Sequence, residues 1–458
     1  MPLHPLTAEW DLDLVGGDPL GFPGYAGQLA RLDGESVRTG VTDAGYVCIE
    51  GRFEVVGGSM GAAAGEKVVR AFRRATDLRL PVVVLAASGG ARLQEGMVAL
   101  AQLARTAGAA RRHSEAALLS LSVLGAPTTG GVFASYASLT DLRAAVAGAT
   151  VGFAGPRVAE LVTGRPLPAD SHTAESAYAA GLVDAIVADE AAARAWVEIA
   201  LGLVATRPGS APPVTGPVTG GDTAWDEVLR ARATDRPTGI DWARSLCASW
   251  TELRGVDPVV RAGLAELDGR RVVAIATDRR AGTGRPGPDG FRLAQRAVAL
   301  AGRLGLPIVS FVDTPGAEPG ATAEADGIAG EIARTLAGFA TAPVPSVAIC
   351  VGEGGSGGAL ALAHCDRLLI QEHAVFSVIS PEGAALILER DPARAPDVAA
   401  HLGLTSERLL ELGIVDAVVA EEGDAAEAMA KAVAAALDEA QVGDRDRRWD
   451  AATVRWLR

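Results

Sequence analysis

Cysteine, histidine and aromatic residues are scarce in this chain of 458 residues, and each shortage excludes a class of site. The four cysteines include no CxxC pair, which excludes a zinc ribbon and a dithiol redox motif. The six histidines are scattered without the spacing of a metal-binding motif, so we expect no metal. Aromatic residues make up only 4% of the chain, so its core has to consist mainly of small and aliphatic side chains.

Long apolar runs and an excess of positive charge are also missing. The apolar runs are short and broken by glycine, far below the length of about 18 residues that a membrane span needs. The N-terminal segment has neither the basic nor the apolar region of a signal peptide, so we expect a cytoplasmic protein. A net charge of −14 argues against nucleic acid or a membrane as partner, although clustered arginine and lysine side chains could still bind a small anion.

The sequence does contain an internal repeat. Three pairs of similar segments recur at the nearly constant offsets of 232, 227 and 225 residues. These pairs are 181–190 with 413–422, 129–131 with 356–358, and 153–156 with 378–381. Near-constant offsets with small drift in the loops indicate one duplicated domain, and a duplicated domain offers two versions of one site.

Composition divides the chain into five segments. We predict an N-terminal arm at 1–40, a first repeat at 41–205, a linker at 206–224, a second repeat at 225–437 and a charged, peripheral tail at 438–458. The linker region is rich in proline and glycine, which disfavours helix and strand. Within each repeat, short apolar runs typical of strands alternate with alanine-rich helical stretches, which predicts a layered α/β fold.

Each repeat has two strands that end in a small-residue turn before a helix. These turns lie at 88–92 and 125–132 in the first repeat, and at 313–317 and 352–359 in the second. Glycines before a helix expose backbone N–H groups and the positive end of the helix dipole, both of which attract a negatively charged oxygen. The glycines could instead serve only tight turns and close packing, but their recurrence in both repeats favours an oxyanion-binding site.

Two nucleotide or nucleophile motifs match the second glycine run without fitting their context. A GxGxxG pattern begins at Gly352, but only about eight residues separate it from the next strand, too few for a Rossmann crossover helix. A GxSxG pattern centres on Ser356, but neither His364 nor His373 has an acid at a matching spacing. Both interpretations are therefore disfavoured, and no GxxxxGK[ST] motif is present.

The two repeats resemble the two carboxyltransferase subunits of bacterial acetyl-CoA carboxylase. The second repeat resembles the α subunit in four segments, at 287–292, 311–317, 352–361 and 376–383. The first repeat resembles the β subunit in four others, at 56–61, 87–96, 127–132 and 152–158. The resemblance covers about four fifths of the chain and keeps the segments in order, which makes it specific.

The resemblance implies two tandem crotonase-type (ClpP/crotonase) domains, each an α/β superhelix of β-β-α units. It also implies transfer of a carboxyl group from N-carboxybiotin to acetyl-CoA or propionyl-CoA, giving malonyl-CoA or methylmalonyl-CoA. By this resemblance Gly130 and Gly131 would bind the thioester oxygen, and Gly357 and Gly358 the ureido oxygen of biotin. Each half-reaction develops an oxyanion, so two sets of donors would serve in place of a titratable triad.

The resemblance further implies which residues bind the two reactants. On the CoA side these are Gly89, Gly90, Ala91, Arg92, Lys67 and Arg70. On the biotin side they are Gly316, Ala317, Gly355 and Ser356. Each of the three cations could equally be an ordinary surface side chain.

Partners follow from the same resemblance. The chain has no Met-Lys-Met biotinylation motif, so biotin is expected on a separate carrier protein, which acts together with a biotin carboxylase component. The acyl-CoA is the small-molecule partner. The family implies a homodimer or larger assembly, with each active site between the N-terminal half of one chain and the C-terminal half of another.

The chain departs from the family pattern in two places. It lacks the N-terminal zinc ribbon that is usual in the β subunit, and Glu318 replaces an aromatic residue that is typical of the α subunit. The alternative function is a decarboxylase of malonyl or methylmalonyl thioesters on the same fold, because the same oxyanion sites would serve both directions. A non-catalytic scaffold is disfavoured because both glycine pairs are intact.

Overall fold

The computed structural model describes residues 3–202, 223–421 and 423–454. The chain forms two compact units, residues 1–204 and 205–458. The predicted linker at 206–224 lies outside the described residues except for its last two positions, and there a helix begins at Ala224.

One sheet of eight strands forms the first unit. Its strands are β1 (Leu6–Glu9), β2 (Val37–Thr42), β3 (Val47–Gly51), β4 (Val82–Ser88), β5 (Ser120–Thr129), β6 (Leu142–Val146), β7 (Val151–Gly152) and β8 (Ala185–Val187). Their order is β1-β2-β3-β4-β5-β6-β8, and β7 pairs with β5. The β1–β2 and β2–β3 pairs are antiparallel, and every pair from β3 onward is parallel. The predicted N-terminal arm thus supplies β1 and most of β2 to the sheet.

The described residues of the first unit contain seven helices. They are α1 (Tyr25–Leu29), α2 (Ala62–Leu78), α3 (Gly96–Glu115), α4 (Gly130–Val132), α5 (Pro156–Thr163), α6 (Ala174–Ala179) and α7 (Glu190–Leu201). A π-helical turn, Phe133–Ala137, follows α4 directly. The alternation of parallel strands and helices is the layered α/β arrangement that the sequence predicts.

The second unit repeats the same sheet. Its strands are β9 (Cys247–Leu253), β10 (Val260–Leu267), β11 (Arg270–Thr277), β12 (Ile308–Thr314), β13 (Ser346–Gly355), β14 (Arg367–Gln371), β15 (Val375–Ser377) and β16 (Ala417–Val419). Their order is β9-β10-β11-β12-β13-β14-β16, with β15 on β13, which matches the first unit strand for strand. The described helices are α8 (Ala224–Ala231), α9 (Gly239–Leu246), α10 (Pro288–Leu304), α11 (Ala321–Ala325), α12 (Ile328–Ala340), α13 (Ser356–Ala363), α14 (Pro381–Leu388), α15 (Ala395–Ala399), α16 (Ser406–Glu411), α17 (Ala425–Glu439) and α18 (Asp444–Val454).

The repeated Gly-x-Val-Asp segments occupy equivalent positions in the two sheets. Asp184 accepts a hydrogen bond from the N–H of Arg143 at 2.8 Å and donates its own N–H to the Arg143 carbonyl at 2.6 Å. Asp416 forms the same pair of bonds with Leu368, both at 2.7 Å. Each aspartate therefore anchors the start of the last strand of its sheet, β8 or β16, to the neighbouring strand, β6 or β14.

Helices with one apolar face cover the sheets. In the first unit, Val68 and Phe72 of α2 are fully buried in one cluster with Val84 of β4. In the second, Met429 of α17 is buried with Ile349 of β13. Burying side chains of this size stabilises the fold by about 1.5–3 kcal/mol each, which holds the strand ends in place.

The C-terminal segment differs from its prediction. Arg445 on α18 is fully buried, and its Nε donates to Asp366 Oδ1 at 2.9 Å. Arg448 is also buried, and donates to the Cys365 carbonyl at 2.7 Å. The prediction of a peripheral tail at 438–458 is therefore wrong for α18, because these arginines bury their charges against polar groups of the second unit.

Candidate functional site

The ends of β4 and β5 bring two glycine turns of the first unit together. These strands are parallel neighbours, and Ser88 pairs with Thr128 near their carboxyl ends. In the turns that follow, Gly90 (φ 113°) and Gly130 (φ 61°) both have positive φ. A Cβ on Gly130 would lie 2.8 Å from Gly90 Cα, closer than any side chain allows. The predicted CoA-side turn therefore touches the predicted oxyanion turn through backbone atoms alone.

The ends of β12 and β13 form the same arrangement in the second unit. Thr314 pairs with Gly354, and the turn beyond Thr314 reaches Gly316 with a φ of 126°. A Cβ on Gly358 would lie 2.4 Å from the backbone nitrogen of Ala317. The predicted biotin-side residues are thus gathered at one pair of adjacent turns.

The structure pairs the glycine turns of the two repeats with an offset one residue smaller than the offset of 227 predicted from the sequence. β5 and β13 each have ten residues, and they begin at positions 120 and 346. Gly130 therefore corresponds to Ser356, and both have positive φ, of 61° and 57°. Gly131 corresponds to Gly357, so the offset is 226 and the predicted pairing of Gly130 with Gly357 is wrong. The glycine-rich run fits several registers, and only the strand starts distinguish them.

The N–H groups in these turns are not equally available. The N–H of Gly130 donates to the Phe153 carbonyl at 2.9 Å, so Gly130 shapes the turn and cannot donate to a ligand. Within the described part of the chain, the N–H groups of Gly131 and Gly357 have no acceptor. An unengaged donor is therefore present at the equivalent place in each unit.

Gly357 and Gly358 have different surroundings. Among the described residues, no heavy atom outside the local backbone lies within 4 Å of the position that a Cβ on Gly357 would take. Gly358 instead packs against the Ala317 backbone. A ligand can therefore approach the chain at Gly357, while Gly358 serves close packing of the two turns.

Arg92 lies at the end of the first turn and is fully buried. Its Nη1 lies 3.2 Å from Glu35 Oε2 and 3.3 Å from Glu95 Oε1, and the Tyr25 hydroxyl donates to Glu95 at 2.6 Å. Burial alone would raise the pKa of Glu35, but the hydrogen bond and charge of Arg92 outweigh it, and that pKa is lowered. The prediction that Arg92 contacts CoA does not fit this burial. The guanidinium instead stabilises the turn from its buried side.

Of the other two predicted CoA cations, one is buried and the other is paired with carboxylates at the surface. Lys67 is only 3% exposed, and burial lowers the pKa of its ammonium group. Arg70 donates to Asp11 at 2.9 Å and to Glu66 at 2.8 Å. Neither side chain is placed as the open cation that the resemblance implies.

A network of arginines and carboxylates lies beneath the glycine turn of the second unit. Arg232 donates to both carboxylate oxygens of Glu353, at 2.9 and 2.7 Å, and to Glu382 at 2.6 Å. Arg279 lies 3.5 Å from Asp313 and 3.6 Å from Glu353. This network connects strand β13, just before its glycine turn, with the first turn of α14.

Neither these arginines nor their role is predicted from the sequence, although a signal for their partners is present in it. Glu353 and Asp313 are charged residues within buried strands, which signals ion pairing. Arg232 lies 121 residues before Glu353 in the chain, so no local pattern links the two. Burial raises the pKa of Asp313 to about 6, although the nearby Arg279 acts to lower it.

Glu318, the departure from the family pattern, is held by one residue of its own loop and one of the loop between β11 and α10. Its Oε2 accepts from the Thr283 hydroxyl at 2.9 Å and its Oε1 from the Gly320 N–H at 3.2 Å. Beside it, Arg285 Nη1 donates to the Pro315 carbonyl at 3.2 Å. A carboxylate and a guanidinium thus flank the turn where the resemblance places an aromatic ring.

Two general features bear on the class of protein. No helix in the described ranges is long and apolar enough to cross a membrane. Among these same residues, no group of three or more histidine, cysteine, aspartate or glutamate side chains is arranged to hold a metal ion.

Comparisons with known sequences identify the family. A family described as "Acetyl co-enzyme A carboxylase carboxyltransferase-like" matches residues 219–448. The acetyl-coenzyme A carboxylase carboxyl transferase subunits beta/alpha of Salinispora arenicola are 43% identical over 449 residues, which cover 89% of this chain and 79% of that protein. A probable biotin-dependent acyl-coenzyme A carboxylase beta3 subunit of Mycobacterium tuberculosis is 39% identical over 438 residues, covering 92% and 87%.

Solved structures share the fold. The transcarboxylase 12S hexamer core, solved with methylmalonyl-coenzyme A and methylmalonic acid bound, has a TM-score of 0.74 at 23% identity and covers 90% of this chain and 83% of its own. A single-chain, multi-domain long-chain acyl-CoA carboxylase has a TM-score of 0.77 at 20% identity, covering 93% and 45%. The predicted pair of crotonase-type domains is confirmed.

The sheet order, the duplicated glycine turns and the sequence relatives lead to one assignment. The chain belongs to the biotin-dependent acyl-CoA carboxyltransferases, as a fusion of the β-like and α-like halves of the acetyl-CoA carboxylase carboxyltransferase.

Proposed function

We propose that this chain moves a carboxyl group from biotin on a separate carrier protein to acetyl-CoA or propionyl-CoA. The observation that carries the proposal is that equivalent glycine turns of the two units each have an unengaged N–H, at Gly131 and at Gly357. Carboxylated biotin, when bound, supplies the carboxyl group. What the chain itself then has to provide is stabilisation of two oxyanions, for which preorganised N–H donors suffice.

The first unit is proposed to bind the acyl-CoA. The Gly131 N–H would donate to the thioester oxygen as the α-carbon loses its proton and negative charge moves onto that oxygen. One such donor contributes about 3–4 kcal/mol in a site without water. Gly130 would support it indirectly, because its hydrogen bond to Phe153 sets the direction of the next N–H.

The CoA arm is proposed to lie along the turn formed by Gly89, Gly90 and Ala91. A Cβ on Gly89 would meet only the Gly57 carbonyl, at 3.5 Å, which leaves room for close approach. Arg92 would act from beneath by fixing the turn, and Lys67 is too deeply buried to contact a phosphate.

The second unit is proposed to bind biotin. The Gly357 N–H would donate to the ureido oxygen, and the open space at this glycine fits the approach of a ring edge. Gly355, Ser356, Gly316 and Ala317 would form the wall of the same site. Gly358 would keep the two turns in contact.

The assembly is proposed to be a homodimer or a larger oligomer with shared sites. The N-terminal half of one chain would face the C-terminal half of another, as the family resemblance implies. A biotin carboxylase and a biotin carboxyl carrier protein would be the other components. The relatives' names support partners of this kind for the family.

The proposal is tested by forward transfer. The full chain is mixed with a carrier protein bearing labelled carboxylated biotin and with acetyl-CoA or propionyl-CoA, and label in the acyl-CoA is counted. We expect malonyl-CoA, methylmalonyl-CoA or both, and the ratio of the two kcat/KM values identifies the acyl substrate. Absence of label in both products would contradict the proposal.

The decarboxylase alternative uses the same oxyanion sites in the opposite direction. Such a decarboxylase could act with or without biotin, and CO₂ release from malonyl-CoA in the absence of biotin would identify the form that needs none. Glu318 does not favour the alternative, because its carboxylate is already bound by Thr283 and Gly320.

A further inference from the structure

A guanidinium without an ion-pair partner lies beside the biotin-side turn. Arg285 belongs to the loop between β11 and α10, and it is partly buried. Its Nη1 donates to the Pro315 carbonyl at 3.2 Å and lies 3.5 Å from the position that a Cβ on Gly316 would take. Gly316 in turn lies against the Gly355 carbonyl, so the cation borders the turn that leads to Gly357.

The neighbouring arginines differ from Arg285 in their charge pairing. Arg279 contacts Asp313, Arg280 contacts Asp241 at 3.0 Å, and Arg292 contacts Asp289 at 2.9 Å. Within the part of the chain that the structure describes, Arg285 has only a carbonyl as its acceptor and no carboxylate within 4.0 Å. The positive charge at this turn is therefore not paired directly with a carboxylate among the described residues.

Glu318, the nearby acidic residue that departs from the family pattern, forms no ion pair with Arg285. Both oxygens of Glu318 are engaged, one with Thr283 and one with Gly320. An arginine remains charged at any physiological pH, and its planar fork fits the two oxygens of a carboxylate. The site thus has an open positive position for a small carboxylate.

The first unit lacks a cation at the equivalent position. Arg285 stands three residues before α10, and three residues before α2 the first unit has Ser59. The Ser59 carbonyl and hydroxyl both accept hydrogen bonds from Arg92, at 2.9 and 3.2 Å. The duplicated loop has therefore acquired an open cation only on the side where biotin is proposed to bind.

We propose that Arg285 binds the carboxyl group that is being transferred, while that group is still on biotin. The inference rests on the proposed function. In the transfer, the bond between the ureido nitrogen and the carboxyl carbon breaks and a bond from that carbon to the acyl α-carbon forms. The α-proton passes to the ureido nitrogen, and Arg285 stays protonated throughout while it holds the carboxylate oxygens.

The test compares three variants of the full chain: Arg285→Met, Arg285→Lys and Arg280→Met. Arg280 is the matched control, because it lies in the same loop and is paired with Asp241. Two quantities are measured for each variant: kcat/KM for the carboxylated carrier protein, and the inhibition constant of the uncarboxylated carrier. Thermal unfolding of each variant is followed in parallel.

We expect Arg285→Met to lower kcat/KM by about tenfold or more, the size expected for loss of a charged hydrogen bond. The inhibition constant of the uncarboxylated carrier should change less than about twofold, since that carrier lacks the carboxylate. Arg285→Lys should recover part of the loss because it restores the charge but not the fork. Arg280→Met should behave like the unmodified chain.

Two results would overturn the inference. One is that Arg285→Met retains the kcat/KM of Arg280→Met. The other is that it weakens binding of both forms of the carrier equally, which would indicate a general role in the loop. Failure of the proposed function is distinguishable from either, because then the unmodified chain would transfer no carboxyl group.

Discussion

At the scale of single residues, two adjacent glycines have different surroundings, because one leaves room for a ligand and the other packs against the protein backbone. Gly357 faces open space, whereas Gly358 lies against the Ala317 backbone. The sequence predicts a functional glycine pair here but cannot assign the two roles. The assignment depends on where β13 ends, and a run of glycines leaves that end undefined in the sequence.

Gly357→Ala is expected to reduce carboxyl transfer by about 100-fold or more, because its methyl group occupies the space next to the donor N–H. Its stability should not fall, since alanine at this position of α13 meets no atom and favours helix. Transfer rate and thermal unfolding are measured together. Gly17→Ala, another glycine with an open Cβ position, is the control, and it should leave both unchanged.

Gly358→Ala is expected to behave differently from its neighbour. Its Cβ would lie 2.4 Å from Ala317 N, and such overpacking costs about 1–3 kcal/mol. Denaturant unfolding should show that loss for Gly358→Ala and not for Gly357→Ala. Equal stability of the two variants would contradict the assignment of Gly358 to packing.

Asp313 is expected to give stability an unusual dependence on pH. Burial raises its pKa from 3.8 to about 6, so the unfolded chain releases this proton at lower pH than the folded chain. The carboxylate therefore costs the native state stability as pH rises through this range. Asp313→Asn cannot ionise, so its unfolding free energy relative to the unmodified chain should rise by roughly 1–3 kcal/mol between pH 4 and 7.

The control for this pH series is Asp226→Asn. The hydrogen bond from Thr223 lowers the pKa of Asp226, so the carboxylate stabilises the native state once ionised, and the relative stability of this variant should fall as pH rises. If Asp313→Asn followed the same direction as Asp226→Asn, the raised pKa of Asp313 would be refuted.

At the scale of elements, each glycine turn rests on a buried group of charges drawn from distant parts of the chain. Under the first turn Arg92 is held by Glu35, 57 residues earlier, and by Glu95. Under the second, Glu353 is held by Arg232. The strand, turn and helix could be predicted from apolar runs ending in glycine. The buried ion pairs that support these turns could not be predicted, because an arginine in a turn has no local sequence feature that shows it to be buried.

Arg92→Met is expected to destabilise the first unit by about 3–5 kcal/mol, because it leaves Glu35 and Glu95 buried without their cation. Hydrogen exchange of amides in β4 and α2 measures this loss locally. Arg111→Met removes a solvent-exposed ion pair and should cost less than about 1 kcal/mol. Similar effects of the two changes would rule out a supporting role for Arg92.

At the scale of the whole molecule, duplication explains why one chain carries two equivalent donors. The duplication, and with it the presence of two versions of one site, could be predicted from the recurring Gly-x-Val-Asp segments, which precede matching strands. The resemblance assigns the second turn to biotin, but it does not predict that Arg285 and the open N–H of Gly357 lie at neighbouring turns, which only the structure shows.

The proposal of shared sites predicts complementation between two inactive chains. In a head-to-tail dimer of one Gly131→Val and one Gly357→Val chain, one site would carry both changes and the other neither. Mixed dimers selected through both tags should then show about one half of the activity of the unmodified dimer. The chains are coexpressed with different tags and assayed after purification through both. Complete inactivity of the mixed dimer would place each site within a single chain.

The most direct test of the central claim is the biotin dependence of the reverse reaction. Purified chain is given malonyl-CoA with and without free biotin, and release of CO₂ and formation of acetyl-CoA are followed. A carboxyltransferase should release CO₂ only when biotin is present to accept the carboxyl group. Rapid release without biotin would contradict the account and identify the chain as a decarboxylase.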